Sequence, residues 1–272
     1  MRIRVHHDTV YTYSTPVKSA IQILRLTPRN HEGQFVARWR VDLDGGARSV
    51  RREDWLGNIT HHLNIDGPAS TIGIRVAGEV ETEDQHGVVR GTVERFPPSL
   101  FLRGSHLSSA DAALVDFAHA ATAGPQNGLD KLHALMHAIH QLIRFDTEAT
   151  DVVTTASEAF HAGKGVCQDF AHIFCAGARC LGIPARYVSG YLMRPEVVEQ
   201  NASHAWAEAH VEGLGWVSFD AANAICATDL YVRIACGLDY LDAAPIRGSY
   251  YGASDEQMDV KLRIDSARQT QS

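Results

Sequence analysis

The residue with the clearest chemical potential is Cys167, which follows Gly163 and Gly165 and begins an apolar run with helical spacing. The pattern predicts that Cys167 lies in the first turn of a helix. That turn presents unpaired backbone N–H groups and a partial positive charge, and both stabilise a thiolate. Because the thiolate is the reactive form of cysteine, Cys167 is the candidate nucleophile.

Two further residues of the types that thiol chemistry requires lie downstream of Cys167. His204 begins one strand-like segment, and Asp220 ends another. A nucleophile, a base and a carboxylate that orients the base form a thiol acyl-transfer site, and they meet in space rather than in sequence. A plainer reading is also open, in which Cys167 is a small buried hydrophobe and His204 an exposed polar residue. We interpret the set as a Cys-His-Asp site.

The hypothesis makes a geometric demand on the segments that carry His204 and Asp220. If they form a hairpin, the two residues oppose each other when the turn centres on about Glu212, as a short glycine-containing loop allows. A turn centred on Leu214 would instead place Asp220 opposite Glu208. The hypothesis therefore predicts a register within about one residue of the first arrangement.

The segment from His204 also has two unlike faces. One is small and apolar and suits packing on a core helix, and the other is large and polar and suits a cleft. The small face comprises Ala205, Ala207, Ala209 and Val211, and the large face comprises His204, Trp206, Glu208 and His210.

The rival chemistry is a metal site on a helix that carries His133, His137 and His140 on one face. Zinc is bound by histidines with such spacing, but Leu132, Leu135, Met136 and Ile139 mark the helix as a packing element. The glycine loops at 45–46 and 163–165 also lack the phosphate-binding G-x-x-x-x-G-K-[ST] pattern. The sequence therefore predicts no metal and no cofactor.

The composition indicates the cellular compartment and excludes some classes of binding partner. The chain has 272 residues and a formal net charge of −7 without a basic run, which argues against binding nucleic acid. No segment has the length and apolar character of a membrane span or a signal peptide, so we expect no membrane partner. The five cysteines are an odd number, which argues against a paired secreted framework and favours the cytoplasm. Nothing in the sequence indicates an oligomeric state.

The chain divides into two regions by pattern. Residues 1–100 read as several short strands with turns at 44–46 and 54–58, which predicts a β-rich N-terminal domain with an antiparallel sheet or sandwich. Residues 101–272 read as helices followed by strands, which is typical of an α+β domain. Its first helix begins near Ser108–Asp111, after which a loop at 124–128 precedes a second helix, and a third runs from about Cys167 to Leu181. A last strand is predicted near 258–264.

Four blocks carry a family resemblance. They are GVCQDFAH (165–172), ARCLGIPARYVSGY (178–191), SHAWAE (203–208) and GWVSFD (215–220). In this order and spacing they closely resemble the bacterial transglutaminase-like proteins, a family described as candidate cysteine peptidases. The resemblance implies that Cys167, His204 and Asp220 form the catalytic triad. It further implies a papain-like α+β catalytic domain behind a β-rich N-terminal domain that covers residues 1 to about 85.

The resemblance has one local departure and leaves two choices open. The family commonly has proline after the aspartate, where this chain has Ala221. A second donor to the oxyanion, beside the Cys167 N–H, is not assigned, and Gln168 and His161 are the candidates that lie near in sequence. The expected reaction is attack of the thiolate on a peptide or amide carbonyl, then hydrolysis of the thioester. Transfer to an amine, as in a protein-glutamine transglutaminase, and a non-catalytic peptide-binding module are the alternatives.

Overall fold

The computed structural model describes residues 1–44, 48–124, 127–252 and 255–267 of the chain. The helices in this part are α1 (Ala112–Ala121), α2 (Gly128–Leu142), α3 (Ala156–Ala162), α4 (Cys167–Cys180) and α5 (Tyr240–Ala243), with a 3-10 turn at Pro98–Leu102. The strands are β1 (Arg2–Thr27), β2 (Gln34–Leu43), β3 (Arg48–Glu53), β4 (Ile59–Thr82), β5 (Val88–Val89), β6 (Arg144–Phe145), β7 (Lys164–Gly165), β8 (Ala185–Leu192), β9 (Glu199–Gln200), β10 (His204–Val211), β11 (Gly215–Phe219), β12 (Tyr231–Gly237), β13 (Ile246–Tyr251) and β14 (Glu256–Ser266).

The strands form two antiparallel sheets and one small parallel pair. The first sheet has the order β2-β4-β1-β14-β9, with β3 also paired to β4 and β13 to β1. The second has the order β12-β8-β10-β11-β5, and β6 pairs with β7. Helices and antiparallel sheets in one chain confirm the predicted α+β class.

The first sheet differs from the short strands that the sequence suggested. Its two central strands are long, with 26 residues in β1 and 24 in β4. Their pairing is interrupted by register shifts after Thr12, Val17 and Leu24, where bulges let one strand continue through a bend. The predicted turn at 54–58 is present, with the Asp54 N–H donating to Asn58. The predicted turn at 44–46 lies partly outside the described residues.

The strand predicted near 258–264 is present as β14 and belongs to the first sheet. It pairs with β1 along its whole length, from Ile3↔Ser266 to Tyr13↔Glu256. β13 also joins β1, whereas β5, from the N-terminal part of the chain, joins the second sheet. Each sheet therefore contains strands from both sides of residue 100, the predicted domain boundary.

Helix boundaries follow local capping chemistry. Asp111 caps α1 by accepting a hydrogen bond from the Leu114 N–H, so the helix begins at the end of the predicted Ser108–Asp111 segment. The loop predicted at 124–128 falls partly outside the described residues, and Asn127 caps α2. The sequence analysis did not predict α3, although Thr155 and Glu158 form a capping box at its start.

The core lies between α4 and the second sheet. Ala205, Ala207 and Ala209 are buried against α4, as the small face of β10 predicted. Helices α1, α2 and α3 pack around α4, which is buried from Gln168 to Arg179. Within the described residues, no helix is long and apolar enough to cross a membrane.

The opposite face of the second sheet holds a buried ion cluster. Glu208 on β10 is fully buried and accepts hydrogen bonds from Arg186 on β8 at 2.6 Å and from Arg233 on β12 at 2.7 Å. Arg186 also donates to Glu94 and stacks on the Trp216 ring, with its guanidinium carbon 3.9 Å from the ring centre. Burial alone raises the pKa of Glu208, but the two guanidinium groups outweigh burial and lower it to about 2. The cluster joins three strands.

We predict that Glu208→Gln lowers the free energy of unfolding by about 3–5 kcal/mol, because it leaves the largely buried Arg233 without its counter-charge and Arg186 with only the exposed Glu94. Chemical denaturation of both proteins measures the difference. The matched control is Glu212→Gln, which changes an exposed glutamate in the neighbouring turn and should stay within about 0.5 kcal/mol of the parent. Equal stability of the two variants would contradict the role of the cluster.

The pKa of Glu208 also predicts a pH dependence. Because folding lowers this pKa from 4.5 to about 2, the stabilisation by Glu208 is fully present above pH 4.5 and is lost as pH falls through 2. The difference in stability between the parent protein and Glu208→Gln should therefore shrink over this range. Denaturation at a series of pH values tests this, and a difference that does not change with pH would contradict it.

Candidate active site

The start of α4 is held by a carboxylate in the same turn. Asp169 accepts hydrogen bonds from the Val166 N–H at 2.7 Å and from the Thr150 hydroxyl at 2.6 Å. Burial raises the pKa of Asp169, and these two hydrogen bonds act against that rise. A Cβ at Gly165 would lie 2.5 Å from the Asp169 carboxylate, so the glycine makes this close approach possible. Cys167 is therefore the first residue of α4, as predicted.

The glycines before Cys167 have separate structural roles. Gly163 ends α3 in the left-handed region, with φ of 63°. Lys164 and Gly165 then form β7, which pairs in parallel with β6. The approach to Cys167 is thus fixed by a helix cap and a strand pair.

His204 and Asp220 lie in contact. The hairpin pairs Val211 with Gly215, so its turn centres on Gly213, one residue from the predicted centre and within the expected tolerance. The His204 Nε2 lies 2.6 Å from the Asp220 Oδ2. The Nδ1 atom is therefore the ring nitrogen left to face the thiol.

Asp220 is enclosed by donors. Besides His204, its Oδ2 accepts from the Tyr231 hydroxyl at 2.7 Å and from the Asn223 side-chain amide at 2.7 Å. Its Oδ1 accepts from the N–H groups of Ala222 and Asn223. Burial by itself raises the pKa of Asp220, but the hydrogen bonds and the charge of His204 give a net lowering. Asp220 is therefore held as a carboxylate in one orientation.

His204 is almost completely buried, and burial by itself lowers its pKa. Hydrogen bonds to Asp220 and Cys167, together with the negative charges that those groups carry when ionised, reverse the effect and raise the pKa from 6.5 to about 10. The imidazole ring also lies beside Trp206, with ring centres 6.2 Å apart. Gly190, the partner of His204 on β8, has no room for a Cβ beside Trp206. These contacts stabilise the imidazolium form of His204 against the effect of burial.

Cys167 and His204 share one cleft of about 650 Å³. Other side chains that line it are Phe145, Gln168, Tyr187, Ser189, Arg194, Val197, Glu199, Gln200, Asn201, Ser203 and Tyr240. The Tyr240 N–H donates to His172 Nε2 at 3.0 Å, which fixes this wall of the cleft to α4. The three predicted residues are therefore brought together, and the arrangement has the parts needed for thiol acyl transfer.

The other residues that the sequence analysis singled out lie partly inside and partly outside the cleft. Of the two candidate oxyanion donors, Gln168 lines the cleft, whereas His161 lies outside its lining and bonds to Asp111 at 2.6 Å. On β10 only His204 of the large polar face lines the cleft, and Glu208 is buried in the ion cluster. His133 packs on Phe219, and His140 bonds to the carbonyl oxygen of Ala221.

The described residues hold no group of three histidine, cysteine, aspartate or glutamate side chains that could bind a metal ion. The sequence analysis also did not identify Tyr231 as a site residue, although its hydroxyl donates a hydrogen bond to Asp220. This tyrosine lies in an ordinary strand pattern, and nothing local marks it as part of a site.

We predict that Asp220→Asn lowers the pKa of His204 from about 10 toward the 6.5 of an isolated imidazole, because the neutral amide no longer stabilises the cation. NMR titration of the His204 ring protons measures this change. Tyr231→Phe, which removes one hydrogen bond but keeps the carboxylate, should cause a smaller shift. An unchanged midpoint in Asp220→Asn would show that the carboxylate is not the cause.

Comparisons with known proteins agree with this architecture. Residues 115–221 match the family model described as the transglutaminase-like superfamily, and residues 3–81 match the bacterial transglutaminase-like N-terminal region. The chain is 30% identical to an uncharacterized protein of Mycobacterium leprae over 97% of this chain and 98% of that protein. It is 27% identical to one of Mycobacterium tuberculosis over 97% of this chain and 92% of that one.

A solved structure shares the fold. It is that of a candidate cysteine protease from Cytophaga hutchinsonii, with a TM-score of 0.80 and 24% identity over 99% of this chain and 92% of that chain. With both family models matched and a relative aligned along almost its whole length, this chain belongs to the transglutaminase-like superfamily and carries the bacterial transglutaminase-like N-terminal region.

Proposed function

We propose that this protein is a thiol-dependent acyl-transfer enzyme in which Cys167 is the nucleophile, His204 the base and Asp220 the residue that orients His204. The observation that carries the proposal is the buried His204–Asp220 hydrogen bond of 2.6 Å beside a thiol at the start of a helix. Superfamily membership supports the same class of chemistry.

The proposed reaction has two stages. The Cys167 proton passes to His204, and the thiolate attacks an amide carbonyl to form a tetrahedral oxyanion. Backbone N–H groups at the start of α4 stabilise the oxyanion, and the His204 imidazolium protonates the leaving amine. The thioester is then cleaved by water, with His204 accepting a proton from it. Cys167 and His204, which exchange the proton in these steps, both line one cleft.

We propose hydrolysis of peptide or amide bonds as the outcome. The description of the solved Cytophaga hutchinsonii protein as a candidate cysteine protease favours water as the acceptor. An amine acceptor would make the enzyme a protein-glutamine transglutaminase, and the same three residues would serve it. We place the enzyme in the cytoplasm, where its free cysteines stay reduced, and we propose a peptide or protein substrate without nucleic acid or membrane partners.

The first test is the rate of iodoacetamide alkylation at Cys167 as a function of pH, with the modified peptide located by mass spectrometry. In the parent protein we expect fast alkylation to persist at pH 6. His204→Ala should slow it about 100-fold there, because only about 0.3% of an ordinary thiol with a pKa near 8.5 is ionised at that pH. The control is His210→Ala, which changes another histidine of β10 and should keep the parent rate. Equal rates in both variants would contradict the proposal.

A second measurement distinguishes the acceptors. The protein is incubated with a mixture of casein peptides, with and without a fluorescent primary amine, and new peptide termini, released ammonia and incorporated amine are counted. Hydrolysis predicts new termini that disappear in Cys167→Ala, with little incorporation of the amine. Amine incorporation with ammonia release would assign transglutaminase activity. Peptide binding without turnover by the parent protein would favour the non-catalytic binding module.

A further inference from the structure

One wall of the cleft is a strand with a free edge. β9 pairs with β14 through Gln200↔Leu262 and Glu199↔Arg263, and it ends the order of the first sheet. Within the part of the chain that the structure describes, no strand lies on its other side. Glu199 and Gln200 line the cleft that holds Cys167.

The hydrogen-bond alternation shows which backbone groups face the open side. The Ile264 N–H donates to the Val198 carbonyl at 3.0 Å, so Val198 and Gln200 direct their backbone groups toward β14. In an antiparallel pair every second residue points the other way, and here that residue is Glu199. Its N–H and C=O have no partner among the described residues. Asn201, which follows in the same alternation, lines the same cleft.

A free strand edge binds an extended peptide through main-chain hydrogen bonds. We propose that the acyl donor is an extended polypeptide that adds as a strand to the open edge at Glu199–Asn201, which carries its scissile amide across Cys167 and His204. This inference rests on the proposed function and defines its substrate as a peptide chain rather than a small isolated amide.

The side chains of the cleft agree with recognition through the main chain. Phe145 and Val197 are exposed apolar residues, and Arg194 and Glu199 bring one charge of each sign. Because these two charged side chains of the lining have opposite signs, they do not together favour a substrate of one charge. The enzyme should therefore accept varied sequences, provided that the peptide is long enough to reach the edge.

The test compares chloromethyl ketones that alkylate Cys167 with displacement of chloride. We expect an acetylated tetra-alanine reagent to react at least about tenfold faster than the acetyl-alanine reagent. A single N-methyl group on an inner amide that pairs with the edge should slow the long reagent by about three- to tenfold, the effect of one hydrogen bond. This series uses the parent protein and does not depend on the folding of a variant.

A pair of variants locates the effect on β9. Glu199→Pro removes the outward N–H without touching a bond to β14, and proline is tolerated at such an edge position. Glu199→Ala keeps the N–H and removes the side chain beyond Cβ. The readout is the ratio of the tetra-alanine rate to the iodoacetamide rate, and Glu199→Pro should lower this ratio about three- to tenfold further than Glu199→Ala. Thermal unfolding checks that both variants are folded.

The outcomes separate this inference from the proposed function. If peptide length and N-methylation do not change the rate, the edge-binding inference is overturned. In that case iodoacetamide alkylation that still depends on His204 at pH 6 would leave the thiol mechanism in place. If alkylation does not depend on His204, the proposed function fails and the inference fails with it.

Discussion

The close contact between α4 and β10 is the constraint on which the site depends. Alanines on one face of β10 let the helix approach the sheet, and the alanine side chains at 207 and 209 are completely buried there. On the other side of the helix, Gly177 sits against Leu135 and Ala118 with little space to spare. Small residues on both sides thus let α4 pack closely against the sheet. Because Cys167 begins the helix and His204 begins the strand, this close packing brings the thiol near the imidazole.

The two faces of β10 are constrained by different physical factors. The alanine face is governed by volume, since a larger side chain would push the helix away. The opposite face carries buried ionisable groups, and each is paired with a group from another segment of the chain. Glu208 is neutralised by Arg186 and Arg233, which hold the sheet together. His204 is matched by Asp220, which serves the site. One strand therefore connects the stability of the sheet to the position of the base.

The elements of the site that could be predicted from the sequence are those set by local patterns. The start of α4 follows from glycines and apolar spacing over a few residues, and the structure places it at Cys167 as expected. The hairpin turn centres on Gly213, one residue from Glu212 and within the register that the sequence predicted. The His204–Asp220 contact tolerates this because Asp220 lies just after the last paired residue of β11. The missed helix α3 had a readable signal in Thr155 and Glu158.

The rest depends on residues that are far apart in sequence. The alternation along β10 placed Glu208 on the face expected to line the cleft. Its partners Arg186 and Arg233 lie on other strands, so the local sequence could not show that it is buried in an ion cluster. The pairing of β14 with β1 joins segments about 250 residues apart, and no local pattern specifies it.

That pairing has a consequence for the order in which the site is completed during synthesis. β14 leaves the ribosome after the segments that carry Cys167, His204 and Asp220, yet β9 is held in place through β14. A nascent chain that has emerged as far as Gly237 contains all three residues, but the wall at Glu199 still lacks its supporting strand. The Glu199 wall of the cleft therefore takes its place only after β14 has emerged and paired with β9.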